Sequence, residues 1–165
     1  MLDQQLFAGQ NTTSHNRYLY VWEKNTTTGT GGKFPTIKKY YYDNSLSYGL
    51  TVLRTKLQIM PLIRLSEIYL IAMETTTDLT EANALYRTYM AAHNVNITDD
   101  FPTLESLQEE VVNEYRREFY GEGVMFYVYK RLGVEKPLWC RERMTEDLYA
   151  LPLPSTEFDP DLVQD

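Results

Sequence analysis

The chain has 165 residues, enough for one domain with its own core, and length alone gives no reason to expect two. Its net charge of −7 and its lack of a Lys/Arg cluster exclude the basic stripe that nucleic acid requires and disfavour an anionic lipid surface. A single cysteine, Cys140, excludes an internal disulfide and a cysteine-based zinc site, and no apolar run approaches the ~18 residues of a membrane span.

Residues 1–60 carry β-type patterning. Met1 to Gln10 lack the basic and apolar regions of a signal peptide. The run Tyr18-Leu19-Tyr20-Val21-Trp22 precedes Asn25-Thr26-Thr27-Thr28-Gly29-Thr30-Gly31-Gly32, and a second run covers Phe34 to Tyr42. Two β-prone runs around a Gly/Thr/Asn segment predict a hairpin with a long loop, with Pro35 near an edge or delaying the second strand. Strand alternation puts Tyr18, Tyr20 and Trp22 on one face. That face is either an aromatic binding platform, with Tyr40, Tyr41 and Tyr42 beside it, or the face packed on the helices. The run Gly29-Thr30-Gly31-Gly32-Lys33 is not a phosphate loop, because Thr27 stands where a glycine is needed and Phe34 where a Ser or Thr is needed.

From Pro61 the period becomes helical. Leu65, Ile68 and Ala72, with Leu62, Tyr69 and Ile71, predict a helix to about Glu74. Thr80 is expected to cap a second helix whose inner face is Ala82, Leu85, Tyr86, Tyr89 and Met90. The short link implies an antiparallel pair. After a loop from Asn94 to Pro102, Thr103 or Ser106 starts a third helix, Ser106 and Glu109 having capping-box spacing. Its stripe is Leu104, Leu107, Val111, Tyr115 and Phe119. Gly121 and Gly123 precede a fourth helix, Val124 to Leu132, which Gly133 stops with Lys130 and Arg131 in its last turn. The Pro-rich remainder reads as an irregular wrap. The chain thus divides into 1–60, a paired-helix scaffold at 61–133, and a tail at 134–165, within one structural domain of mainly α class.

Glu110, Glu114, Glu118 and Glu122 recur every four residues, a spacing at which like charges repel. Salt bridges to Arg64, Arg116, Arg117 and Arg131 are the economical compensation. A dinuclear carboxylate metal site would need Glu-x-x-His pairs, and neither His15 nor His93 stands three residues after a glutamate. A glycosidase would need two of these carboxylates across a sugar cleft, which spacing alone does not establish. Ser14 and Ser66 lie in no nucleophile context. Asn11, Asn25 and Asn96 begin Asn-x-Thr triplets, which chance supplies in Thr-rich sequence. The pattern therefore predicts no catalytic residue, metal or cofactor.

Three segments resemble the C-terminal half of the SusD/RagB family. The helix from Pro61 to Glu74, PLIRLSEIYLIAME, is similar to the family's "hRhaEhhLhhAEA" pattern, h being apolar. Glu114 to Gly123, EYRREFYGEG, with Lys130-Arg131-Leu132-Gly133, is similar to "ERRxEhxxEG" and "DLKRxG". Leu151 to Asp165 is similar to the terminal "hPIPxxEhxxNPxLxQN". The resemblance implies tetratricopeptide-like hairpins of about four helices, with an N-terminal β-hairpin region and an irregular Pro-rich tail. It also implies a non-enzymatic lipoprotein on the outer-membrane surface that captures oligosaccharide or another nutrient for a SusC-like TonB-dependent transporter. Family members are several hundred residues long, so the chain is expected to be a piece of a longer protein whose lipid anchor lies elsewhere. The implied ion-pair network comprises Arg64, Glu67, Glu114, Arg117, Glu118, Glu122 and Arg131. Tyr115, Met125 and Val128 depart from the family's Arg, Arg and Asp, and Asp159 and Asp165 replace its terminal asparagines. The alternative is a helical-repeat scaffold that binds a transporter or peptide without recognising sugar.

Overall fold

The computed structural model describes residues 6–27, 33–39 and 62–151, with the side chains at 23–27 and 33–34 excepted. The protein is mainly helical and divides into two compact units, Met1–Glu118 and Phe119–Asp165. Tyr40, Tyr41 and Tyr42, the start of the first expected helix at Pro61, and nearly all of the third family-like segment lie outside the described residues.

The first unit opens with an Asn11 turn, in which Thr13 N–H and Oγ1 donate to Asn11 Oδ1 at 3.1 and 2.6 Å. A π-helical turn, Arg17–Val21, follows. Here the expectation of a strand from Tyr18 to Trp22 is corrected. The hairpin forms one step later, from β1 (Trp22–Thr27) and β2 (Lys33–Ile37), and recruits residues expected to be loop. The strands are antiparallel, with Trp22 opposite Ile37 and Thr27 opposite Lys33, and the register shifts between Glu23 and Thr26. Pro35 sits at that shift. It has no N–H to give the ladder, which is why a bulge forms there.

Three helices complete this unit. Helix α1 spans Leu65–Thr75, α2 Leu79–Ala92 and α3 Leu104–Glu118. All three pack on one another, α1 and α2 as a hairpin closed by the three-residue link Thr76-Thr77-Asp78. The cap of α2 is Asp78 rather than Thr80, its carboxylate accepting from the Thr80 and Glu81 N–H groups. For α3 it is Thr103, whose Oγ1 accepts from Ser106 N–H at 3.2 Å, so the reciprocal pair is Thr103 and Ser106 rather than Ser106 and Glu109. Helix α2 ends in a left-handed Asn94 at φ 61°. Val95 N–H reaches back to Met90 O at 3.0 Å, and the buried Val95 side chain closes the motif.

The core takes Ala82, Tyr86, Tyr89 and Met90 from α2 and Leu107, Val111 and Tyr115 from α3, as the stripes predict. For α1 the inward face is corrected. Leu70 and Met73 are buried, whereas Leu65, Ile68 and Ile71 are 72%, 51% and 42% exposed. The helix is apolar almost all round, so its sequence period does not choose a face. Leu6, Phe7, Tyr18 and Trp22 form a second apolar cluster with Leu19, Val21 and Ile37.

In the second unit α4 spans Val124–Arg131, entered through Gly123 at φ 78°. Gly133 at φ 61° takes the left-handed position after it, with Val134 N–H donating to Tyr129 O at 2.9 Å. A short helix α5, Glu146–Tyr149, replaces part of the irregular tail expected there, and Tyr149 donates its hydroxyl to Val134 O at 2.6 Å.

Candidate functional site

The carboxylates of α3 are the natural place to look for chemistry. Glu110, Glu114 and Glu118 stack along one face, and a dry stack of that kind needs cations. Arg117, on the same helix, bridges Glu110 at 2.6 Å and also pairs with Glu114. Its Nε donates to the Leu6 carbonyl, and the guanidinium lies 5.9 Å from the Phe7 ring centre. Arg17, delivered by the π-helical turn, pairs with Glu114 from the other side and reaches Glu118 at 3.3 Å. It also donates to Tyr89 Oη at 3.0 Å while its guanidinium stands over that ring. Glu118 further receives Ser66 Oγ at 2.9 Å and Arg64 at 3.8 Å from α1 and its approach.

Glu114 is fully buried. Burial pushes its carboxyl upward most strongly, but Arg17 and Arg117 outweigh that and hold it down at about 2. Both arginines stay protonated for the converse reason, Glu114 overcoming the cost of their burial. His15 and His93 stack with ring centres 5.9 Å apart beside this cluster. Burial and the nearby Arg17 lower each imidazole to about 4, so both are neutral at pH 7. His15 is wholly enclosed and, among the described residues, its Nδ1 meets no hydrogen-bond partner, a local cost that the cluster sustains. The Glu114 carboxylate, gripped from two sides, is set up to hold segments together and is poorly placed to exchange protons near neutrality.

Of the residues singled out in sequence, Arg64, Glu114, Arg117 and Glu118 come together. Among the described residues no ion pair reaches Glu67, which lies in the first turn of α1. Glu122 and Arg131 belong to the second unit. The residues that sequence missed are Arg17, His15, His93 and Tyr89. Arg17 left one trace, as a lone cation immediately before the aromatic run Tyr18–Trp22 that the hairpin reading treats as strand.

The aromatic platform is corrected in part. Tyr18 and Trp22 are 9% and 5% exposed and belong to the apolar cluster, while Tyr20 is 72% exposed. The π-helical turn separates these side chains by a helical rotation, so the common face that a strand would have given them does not exist.

Two concavities remain. In the first unit a cleft of about 400 Å³ lies between the Ala8–Gln10 turn and the loop after α2, with Tyr86, Phe101 and Glu110 among its walls. In the second unit a hollow of about 510 Å³ is bounded by Gly133, Glu135, Arg143, Met144 and Tyr149. No cluster of three or more His, Cys, Asp or Glu side chains placed to hold a metal ion occurs among the described residues, and no helix there is long and apolar enough to cross a membrane. Compared with known proteins, the chain matches no family model, no curated protein and no solved structure.

Proposed function

We propose that this chain is the C-terminal helical part of a SusD/RagB-type surface lipoprotein, a non-catalytic component that captures oligosaccharide for a SusC-like TonB-dependent transporter in the outer membrane. The observation that carries the reading is the meeting of two family-like segments at one carboxylate. Arg64 and Ser66, from the first, both approach Glu118, from the second, at 3.8 and 2.9 Å. The charged positions that give those segments their likeness are thus joined as a structural lock. Such a lock suits a rigid scaffold that presents a ligand-binding surface.

The test is calorimetric titration of the protein with a panel of oligosaccharides, alongside assay for released reducing ends and co-purification with a SusC-like barrel. Saturable binding without release of reducing ends, together with retention of the barrel, is the expected result. Release of reducing ends that stops in Glu118→Gln would replace this reading with a glycoside hydrolase.

The second reading, a helical scaffold that binds a transporter or peptide and no sugar, draws on one observation. Leu62 and Ile63 are 94% and 76% exposed just ahead of α1, and Leu65 and Ile68 continue that apolar surface. It predicts retention of the barrel with no heat from any saccharide.

A further inference from the structure

The cleft of the first unit has a chemistry of its own. Its floor is set by Gln10, Glu110, Tyr86 and Phe101. Gln10 donates to Glu110 at 3.1 Å, and the buried Tyr86 lies edge-on to Phe101 with ring centres 5.0 Å apart. Burial, with Glu114 and Glu110 nearby, raises the Tyr86 phenol well above its ordinary range, so its hydroxyl is neutral. The opposite wall is polar and open to water. Asn96, Thr98 and Asp99 are exposed, with Thr98 Oγ1 donating to Asp99 at 3.0 Å.

This loop is held in place before any ligand arrives. Asn83, buried on α2, accepts from Phe101 N–H at 2.9 Å and donates to Phe101 O at 3.2 Å. Arg87 anchors Asp100 at 2.6 Å. A preformed wall spares the ordering cost that otherwise weakens the binding of small ligands. At about 400 Å³ the cleft falls within the range of small-ligand sites.

Charge narrows the class of ligand. Among the described residues the lining includes Asp99, Asp100 and Glu110 and contains no lysine or arginine. A phosphate, sulfate or uronate would meet the exposed Asp99 carboxylate, while the guanidinium of Arg87 is already taken up by Asp100. The wall is not purely accepting either, because the Asn96 amide supplies donors as well as an acceptor, whereas the Thr98 hydroxyl gives its proton to Asp99. Alternating donors and acceptors beside an aromatic ring match a ring of hydroxyl groups better than a lone ammonium.

We propose that the cleft between the Ala8–Gln10 turn and the Asn96–Pro102 loop binds a short neutral saccharide, with Asn96 and Asp99 hydrogen-bonding its hydroxyls. For its ligand class this inference rests on the nutrient-capture reading. For its location it rests on the cleft alone.

The experiment uses the full chain, titrated with malto-, cello- and xylo-oligosaccharides, with polygalacturonate as an anionic arm and oligolysine as a cationic one. The double variant Asn96→Ala/Asp99→Ala changes exposed side chains outside the helices, and Tyr127→Ala, an exposed aromatic in the second unit, serves as a control. The expected result is binding of a neutral oligosaccharide that weakens roughly tenfold in the double variant, as the loss of two hydrogen-bonding groups implies. Melting temperature and the Tyr127→Ala affinity should stay unchanged. Undiminished saccharide binding by the double variant overturns the location and leaves the capture reading standing. Preference for polygalacturonate or oligolysine overturns the ligand class. Silence toward every saccharide overturns both the cleft's role and sugar capture by this chain.

Discussion

Two guanidiniums take the place of the water that Glu114 gave up on folding, and its removal should show how much the first unit depends on them. Glu114→Gln leaves Arg17 and Arg117 buried with one carboxylate fewer, and breaking such a set costs about 3–5 kcal/mol. Urea unfolding monitored by circular dichroism should show that loss. Arg116→Ala, at a half-buried position beside Asn113, should change stability by less than about 1 kcal/mol. The histidines add a pH dependence whose sign follows from proton counting. Unfolded, both imidazoles take up protons near the ordinary 6.5. Folded, they do so only at about 4. The unfolded state therefore binds more protons between those values. Stability is full above pH 6.5 and falls as the pH drops toward 4. Glu114 prolongs the decline, since its folded value of about 2 lies below the ordinary 4.5. Melting curves should be level from pH 8 to about 6.5 and lose melting temperature from there toward pH 4, and a profile flat over the whole range would mean that the pair is not buried in solution.

At the scale of elements, legibility depended on contrast. Helix α2 alternates apolar Ala82, Tyr86, Tyr89 and Met90 with charged and small polar residues, so its inward face could be read directly. Helix α1 carries apolar side chains in nearly every direction, and its face is chosen by what Leu70 and Met73 meet on α2 and α3. The aromatic run at Tyr18–Trp22 has strand composition yet turns helically, because its tertiary role is to carry Arg17 inward. Local propensity cannot register a charge pair about a hundred residues distant. The acidic periodicity of α3 signalled a need for cations, and Arg64 and Arg117 were found that way. Arg17 was not, because its partners are close only in space. Capping gives a sharp test at this scale. Asp78→Ala should lower stability by about 1 kcal/mol, and Thr80→Ala, two residues further on, should leave it unchanged to within a few tenths. Thermal denaturation of both variants separates the actual cap from the one that sequence favoured.

Across the whole molecule, the ion-pair cluster joins pieces of chain that apolar packing alone would leave loosely specified. Arg17 arrives with the N-terminal segment, Arg64 with the approach to α1, and the glutamates with α3, so one buried cluster fixes three segments at once. The same arrangement leaves the exposed polar loop after α2 free to shape a cleft, which is how a scaffold with a committed interior still offers a binding surface. If the glutamates of α3 hold the fold together and do not react, Glu114 must remain ionised wherever the protein is folded. Carbon-detected NMR titration of the Glu114 carboxyl measures this directly. The expected result is a carboxylate that stays deprotonated down to the pH at which the chain unfolds, with a midpoint approaching 2. A midpoint at or above 4.5 in the folded protein would contradict it and return that glutamate to the list of possible acids.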